Sequence, residues 1–212
     1  MTKKQQLATP EEQVLCANNL ILMSGLNMQP IDTSLPVPSE EICKENEYIF
    51  LNFVFTDELG FTSVRATFDI LWHLIDLPGY QKNRSKNVVS KYGHMRLFKG
   101  SLGYRAGLRW GIIRPYANYK RRVNKLWQER INETKSGKFK PVGTELLSAI
   151  IMQPDIFTVI DKPMNMAGLC VTDKNDNPIF APSIQFRDDE IVLDAYWSDE
   201  IGGCYSPTCR LL

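Results

Sequence analysis

The order of helical and strand-like segments is the sequence feature that most constrains the fold of this chain. Thr9-Pro10-Glu11-Glu12 is a capping box with proline at the first helical position, and it predicts a helix over residues 10–24. Residues 48–55 (YIFLNFVF) predict a buried strand, and four strand-like runs follow late, at 156–160, 167–172, 179–186 and 190–197. This order predicts an α+β fold, with helices packed on a mostly antiparallel or mixed sheet.

Three more helices are predicted between the first strand and the late strands. Thr62 or Ser63 can cap a helix that reaches Leu77 and stops at Pro78-Gly79. A long helix is predicted from Pro115, because Tyr119, Val123, Trp127 and Ile131 recur at a spacing of four residues. Thr144-Glu145 opens another helix, closed by Pro154. With 212 residues, the chain has the length of a single domain.

Positive charge is concentrated in the middle of the chain. Residues 81–140 hold seventeen Lys and Arg against Glu129 and Glu133, a net charge of +15, whereas each flank carries a net charge of −7. Eight aromatic residues are interleaved with these basic residues. Three interpretations remain open for this basic band: a solvated or internally paired surface, a site for a phosphate-bearing small ligand, or a surface for nucleic acid.

Cysteine, histidine and hydropathy patterns exclude several classes of protein. The chain has two widely separated histidines and no Cys-x-x-Cys, so we expect no metal site. No apolar run approaches the ~20 residues of a transmembrane helix, and no apolar stretch follows Lys3 and Lys4. We therefore expect a cytoplasmic protein without a membrane partner, in the host cytoplasm if the chain is viral. Its five cysteines are expected to be reduced, with Cys204 and Cys209 exposed or filling small gaps in the core.

Three segments, taken together and in order, resemble the thymidylate synthase and deoxypyrimidine monophosphate hydroxymethylase superfamily. Residues 102–110 (LGYRAGLRW) resemble the signature Leu-Gly-x-x-Tyr-Gly-x-x-Trp, and residues 69–74 (DILWHL) are similar to the family's Glu-Leu-Leu-Trp-Phe-Leu helix. Residues 183–186 and 193–198 resemble the strand pair around the family's nucleophile. The resemblance implies a thymidylate-synthase-like core over 47–212, preceded by a helix-and-loop extension over 1–46.

The resemblance also implies roles for particular residues. Asp69 corresponds to a general acid/base, with a solvent-facing pair to Arg65 as the alternative. The position of the nucleophilic cysteine falls on Phe180 or Ser183, and Cys170 is the one thiol that a displaced nucleophile could use. The expected ligand-binding residues are Trp72, Gly103, Gly107, Arg109, Trp110, Gln185 and Thr208. The candidate basic patch is Lys99, Arg105, Arg114, Lys120, Arg121 and Arg122.

The departures from the family pattern concern its chemistry. The thiolate is missing, Ala106 replaces the signature tyrosine, and Gly111 replaces the arginine after the tryptophan. We therefore expect a thymidylate-synthase-like protein that lacks methyl transfer and binds a nucleotide or a partner, as a homodimer or with a related subunit. No cofactor is expected. The alternatives are a nucleic-acid- or protein-binding module that uses the basic band, and an active methylase or hydroxymethylase with relocated groups, which would need folate.

Overall fold

The fold is that of a computed structural model, which describes residues 7–23, 38–39, 43–55, 63–84, 95–97, 107–122, 125–126, 138–172, 175, 178–197 and 203–212. Its helices are α1 (Pro10–Met23), α2 (Val64–Leu74), α3 (Glu145–Met152) and α4 (Pro154–Phe157). Its strands are β1 (Tyr48–Val54), β2 (Gln81–Arg84), β3 (Met95–Leu97), β4 (Gly107–Arg114), β5 (Lys140–Pro141), β6 (Met164–Asn165), β7 (Leu169–Thr172), β8 (Pro178–Arg187), β9 (Glu190–Trp197) and β10 (Thr208–Leu211).

The described strands form two sheets. The first has the order β1-β4-β10-β5 and is antiparallel throughout. The second has the order β2-β9-β8-β7-β3, with β6 also paired to β8, and only its β2–β9 pair is parallel. Helices combined with antiparallel and mixed sheets confirm the predicted α+β class.

One hydrophobic cluster joins the helices to both sheets. It includes Phe50 from β1, Leu71 from α2 and Ile150 from α3, together with Ile184 of β8 and Leu193 of β9. Each of these five side chains is fully buried. Phe68 and Leu71 face this core because they are three residues apart on α2, whereas Asp69 between them is exposed.

The local signals that predicted α1 and α2 act through specific hydrogen bonds. Thr9 N donates to Glu12 Oε2 at 2.7 Å, and Glu12 N donates to Thr9 Oγ1 at 3.2 Å, which is the reciprocal capping box. Ser63 caps α2 by accepting from Ala66 N at 3.2 Å. The helix ends at Leu74 rather than Leu77, and Lys82 Nζ donates to the carbonyl of His73 in its last turn at 2.8 Å.

The predicted start of one helix is wrong, and so is one predicted strand. Residues 115–120 form turns rather than the start of a long helix, because Asn118 and Lys120 have φ of +52° and +56°, which no α-helix accommodates. Residues 156–160 do not form a strand, since Pro154 begins the short helix α4, where its missing N–H costs nothing. Strands β2 to β6 and β10 were not predicted. Within the range of the predicted long helix, Lys125 and Leu126 are helical, whereas the positions Val123, Trp127 and Ile131 lie outside the described residues.

Among the described residues, side chains rather than a further strand cover the edge of β1 that does not pair with β4. Leu51 N donates to Gln13 Oε1 at 2.9 Å, and Ile49 O accepts from the side-chain amides of Gln13 and Gln153 at 3.2 and 3.0 Å. Further along, Phe53 N donates to Ser148 Oγ at 3.1 Å. These bonds satisfy backbone groups that would otherwise be buried without partners.

We expect Gln13→Leu to lower the free energy of unfolding by roughly 1–3 kcal/mol, because it leaves the buried Leu51 amide without an acceptor. Urea denaturation measures this loss. Asn19→Leu, which changes an exposed amide on the same helix, is the matched control and should cost much less. An equal loss in the two variants would contradict the role given to the Gln13 amide.

Candidate functional site

A cleft of about 230 Å³ lies on the face of the second sheet opposite the main core. Side chains alternate along a strand, so Ile184 and Phe186 of β8 enter the core while their neighbours face the other way. The residues that line the cleft are Asn83, Pro163, Ser183, Gln185, Arg187, Val192 and Asp194. Ser183 and Gln185 were predicted from sequence as site residues, and the cleft places them two positions apart on β8.

Strand register arranges the polar groups of the cleft in rows. Ser183 lies between Asp194 of β9 and Asn165 of β6, and Gln185 lies opposite Val192, whose other neighbour is Asn83 of β2. Asp194 Oδ1 accepts from Ala195 N at 2.8 Å, which holds this carboxylate in place. One small concavity is therefore lined by the carboxamides of Asn83 and Gln185, the Ser183 hydroxyl, the Asp194 carboxylate and the Arg187 guanidinium. Asp194 and Arg187 lie in different rows of the sheet.

The other two catalytic candidates lie outside the cleft. Cys170 is buried in a small cluster with Leu126, Ala167 and Ala181. Asp69 lies on the exposed face of α2, with Arg65 Nε 3.7 Å from its Oδ2, and its side chain is 52% exposed. The structure thus does not bring Asp69, Cys170 and Ser183 together.

Five of the six remaining predicted ligand residues are described, and they lie on α2 and on the first sheet. Trp72 is buried on α2, with the guanidinium carbon of Arg84 5.7 Å from its ring centroid. Gly107, Arg109 and Trp110 belong to β4, and Thr208 begins β10. None of these five residues lines the cleft. Lys99, Gly103 and Arg105 lie outside the described residues.

Within the predicted basic patch, Arg114 has an internal partner. Its Nε donates to Glu47 Oε1 at 2.8 Å, its Nη2 reaches the same oxygen, and its guanidinium carbon lies 3.7 Å from the ring centroid of Phe139. Burial raises the pKa of Glu47, but hydrogen bonds from Arg114 and the Lys44 amide, together with the positive charges of Arg114 and Arg210, outweigh burial and hold this pKa below its ordinary value of 4.5. Arg114 therefore follows the internally paired interpretation of the basic band.

Lys120, Arg121 and Arg122 follow β4, in and directly after the turn that replaces the predicted start of the long helix. Lys120 and Arg122 are exposed and Arg121 is half-buried. Arg121 Nη1 donates to Asn118 Oδ1 at 3.2 Å, and Lys120 Nζ lies 5.3 Å from the ring centroid of Tyr119. These three residues share one surface segment that does not line the cleft.

Sequence reasoning missed Asn83, Arg187 and Asp194 as residues of the site. Arg187 continues the alternation of Ser183 and Gln185, but it lies one residue beyond the predicted strand 179–186, in the predicted turn. Asp194 lies on the predicted strand 190–197, but its place in the site depends on the register of β9 against β8. Asn83 could not be found from alternation, because β2 is an exposed, polar four-residue strand (QKNR) without a hydrophobic pattern. Its position depends on parallel pairing with β9, far along the chain.

No protein-family model, curated protein or solved structure matches this chain. None of the helices that the structure describes is long and apolar enough to cross a membrane. Within the same described ranges, no three His, Cys, Asp or Glu side chains gather where a metal ion could be held.

Replacement of Glu47 tests the internal ion pair. A carboxylate whose pKa is lower in the folded state stabilises the fold above its unfolded pKa, and that contribution is lost as pH falls through the folded pKa. We expect Glu47→Gln to be less stable than the wild type at pH 7, with the gap narrowing from pH 5 to pH 3. Urea denaturation across this range measures it. Glu45→Gln, an exposed neighbour, is the control, and a gap independent of pH would contradict the assignment.

The cysteines give a second test of the site. Cys170, Cys204 and Cys209 are buried, whereas Cys16 and Cys43 are half-buried, and burial raises the pKa of the Cys16 thiol. We expect a thiol reagent at pH 8 to modify Cys43 first and Cys16 more slowly, and to reach Cys170 only after denaturation. Mass spectrometry of the labelled peptides identifies the order. Rapid native labelling of Cys170 would show that this thiol is accessible for catalysis.

Proposed function

We propose that this protein binds a pyrimidine nucleotide in the sheet-face cleft and performs no methyl transfer. The observation that carries this proposal is that Ser183 and Gln185, named by the resemblance, line one cleft with Asn83, Arg187 and Asp194. The thymidylate-synthase-like relationship is part of the proposal, and so is the homodimer or paired subunit that it implies. Light scattering at micromolar concentration tests the dimer.

The chemistry of the lining fits a pyrimidine ring that carries a phosphate. A carboxamide offers a donor and an acceptor side by side, which matches the adjacent N–H and carbonyl of a pyrimidine edge, and both Gln185 and Asn83 provide one. The guanidinium of Arg187 suits a phosphate. Asp194 would repel a phosphate, which favours binding with the phosphate towards Arg187 and the base or sugar towards Ser183 and Asp194.

The size of the cleft and its lining argue for binding rather than methyl transfer. Its volume of about 230 Å³ is below the roughly 300–1,000 Å³ of most ligand sites, so the cleft would enclose only part of one nucleotide and would leave no room for a folate beside it. None of the seven described residues that line it is a cysteine, histidine or lysine. Ser183 would therefore lack a histidine or lysine base there, and Cys170 lies in another cluster.

Calorimetric titration with deoxypyrimidine monophosphates tests this proposal, with deoxyadenosine monophosphate for comparison. We expect a pyrimidine preference, and we expect Gln185→Ala to weaken binding by about 5- to 100-fold, because a ligand group loses its hydrogen-bond partner. Gln81→Ala is the matched control, since Gln81 is exposed on the same sheet and does not line the cleft.

The outcomes separate the candidate functions. No binding at millimolar nucleotide, or equal binding by wild type and Gln185→Ala, would contradict the proposal. Turnover of a deoxypyrimidine monophosphate with a folate donor would instead support the active-enzyme alternative.

A further inference from the structure

Three tyrosines meet on the surface where β4 leaves the first sheet. The Tyr205 ring centroid lies 5.5 Å from that of Tyr116, edge to face, and 4.9 Å from that of Tyr119, at a tilt of 38°. Tyr116 is 39% exposed and Tyr119 is 42% exposed, so each keeps a large part of its ring open to solvent. We call residues 115–122 together with Tyr205 the tyrosine turn.

The backbone of the tyrosine turn is fixed by hydrogen bonds to the segment before β10. Lys120 N donates to Cys204 O at 3.1 Å, Ser206 N donates to Ala117 O at 3.0 Å, and the Asn118 side chain donates to Ser206 O at 3.2 Å. Asn118 and Lys120 both have positive φ, a conformation that costs energy and persists only where surrounding contacts hold it. The rings are thus presented by a preformed turn.

The tyrosine turn is also strongly basic. Lys120, Arg121 and Arg122 follow Tyr119 directly, and exposed Lys125 comes three residues later. Residues 115–122 contain no acidic side chain. Basic side chains beside exposed rings are the combination that binds single strands, because cations pair with phosphates while bases stack on the rings.

We propose that the tyrosine turn binds single-stranded polynucleotide. Tyr119 and Tyr116 provide stacking surfaces for bases, and Lys120 and Arg122 pair with phosphates of the same strand. This surface does not line the cleft, so the proposal does not depend on the proposed function. It uses the part of the basic band that is exposed, whereas Arg114 is committed to Glu47.

A polynucleotide fits this surface better than an apolar protein partner or a mononucleotide. An apolar protein contact would place the exposed cations Lys120 and Arg122 against apolar surface, at a large desolvation cost. A mononucleotide would use one ring and one or two charges, whereas a strand uses several rings and charges at once. Base stacking tolerates any sequence, so no base-specific groups are needed.

Fluorescence anisotropy with labelled 15-nucleotide oligo(dT) and oligo(U) tests this proposal. We expect binding at 50 mM salt that weakens steeply by 200 mM, because bound phosphates release counterions. Tyr119→Ala should weaken binding about 5- to 100-fold, and Tyr119→Phe should retain it, because the ring that stacks is kept. Comparison of the two oligonucleotides shows whether the protein distinguishes a deoxythymidine strand from a uridine strand, and binding of either one supports the proposal.

The salt dependence of binding measures the contribution of the basic side chains to polynucleotide affinity. We expect Lys120→Gln to reduce the slope of log affinity against log salt by about 0.7, the value for one phosphate contact on a single strand. Arg65→Gln is the matched control, since Arg65 is exposed on α2 and should leave the slope unchanged. Thermal denaturation of each variant verifies that it is folded.

Three results would overturn the proposal. These are the absence of binding to both oligonucleotides at 50 mM salt, equal affinity of wild type and Tyr119→Ala, and an affinity independent of salt. Loss of binding in Gln185→Ala with retention in Tyr119→Ala would also overturn it, because the strand would then occupy the cleft.

Discussion

The covering of the β1 edge is the constraint on which the arrangement of the helices depends. A strand edge buried under helices leaves amide and carbonyl groups that neither water nor a neighbouring strand can reach. Here Gln13 of α1, Thr67 of α2 and Ser148 of α3 each bond to β1 or to Phe55 just after it. Each helix must therefore present one polar side chain at one position along the edge, which fixes its rotation and its height against the sheet.

The same constraint reaches the N-terminal part of the chain. Gln153, directly after α3, bonds to Ile49 O and also exchanges hydrogen bonds with the backbone of Ala8. Residue 8 immediately precedes the capping box of α1, so one buried amide ties the start of this helix to both α3 and β1. This is why a helix with little amphipathic contrast in its sequence packs in a defined position.

Local chemistry made α1, β1, α3, β8 and β9 predictable from the sequence. The capping box at Thr9, the dense aromatic and β-branched run at Tyr48–Val54 and the turn chemistry before Glu190 each act within a few residues. The failures have non-local causes. The period-four pattern after Pro115 favours a helix that begins there, but bonds between residues 117–120 and Cys204 and Ser206, more than eighty positions away, fix a turn over residues 115–120.

Cleft residues could be predicted only on strands that were themselves predictable from the sequence. Ser183 and Gln185 lie on a strand whose alternation was visible, whereas Asn83 joins them through a polar strand that pairs at long range. Trp72 and Trp110 were expected as ligand residues, but both are buried in the main core and do not line the cleft. Residue roles can be inferred from a family resemblance only for those residues that the fold brings together in one site.

The cleft and the tyrosine turn share one backbone junction. Tyr205 N donates to Pro163 O at 2.9 Å, and Asn165 N donates to Tyr205 O at 2.8 Å. Pro163 lines the cleft, Asn165 lies opposite Ser183, and the Tyr205 ring supports Tyr116 and Tyr119. Tyr205 is therefore the wrong residue for separating the two surfaces, since its replacement disturbs the support of both. Tyr119 belongs to the tyrosine turn alone, and Gln185 belongs to the cleft alone. A ligand whose affinity falls in only one of the two variants is therefore assigned to the surface that carries the replaced residue.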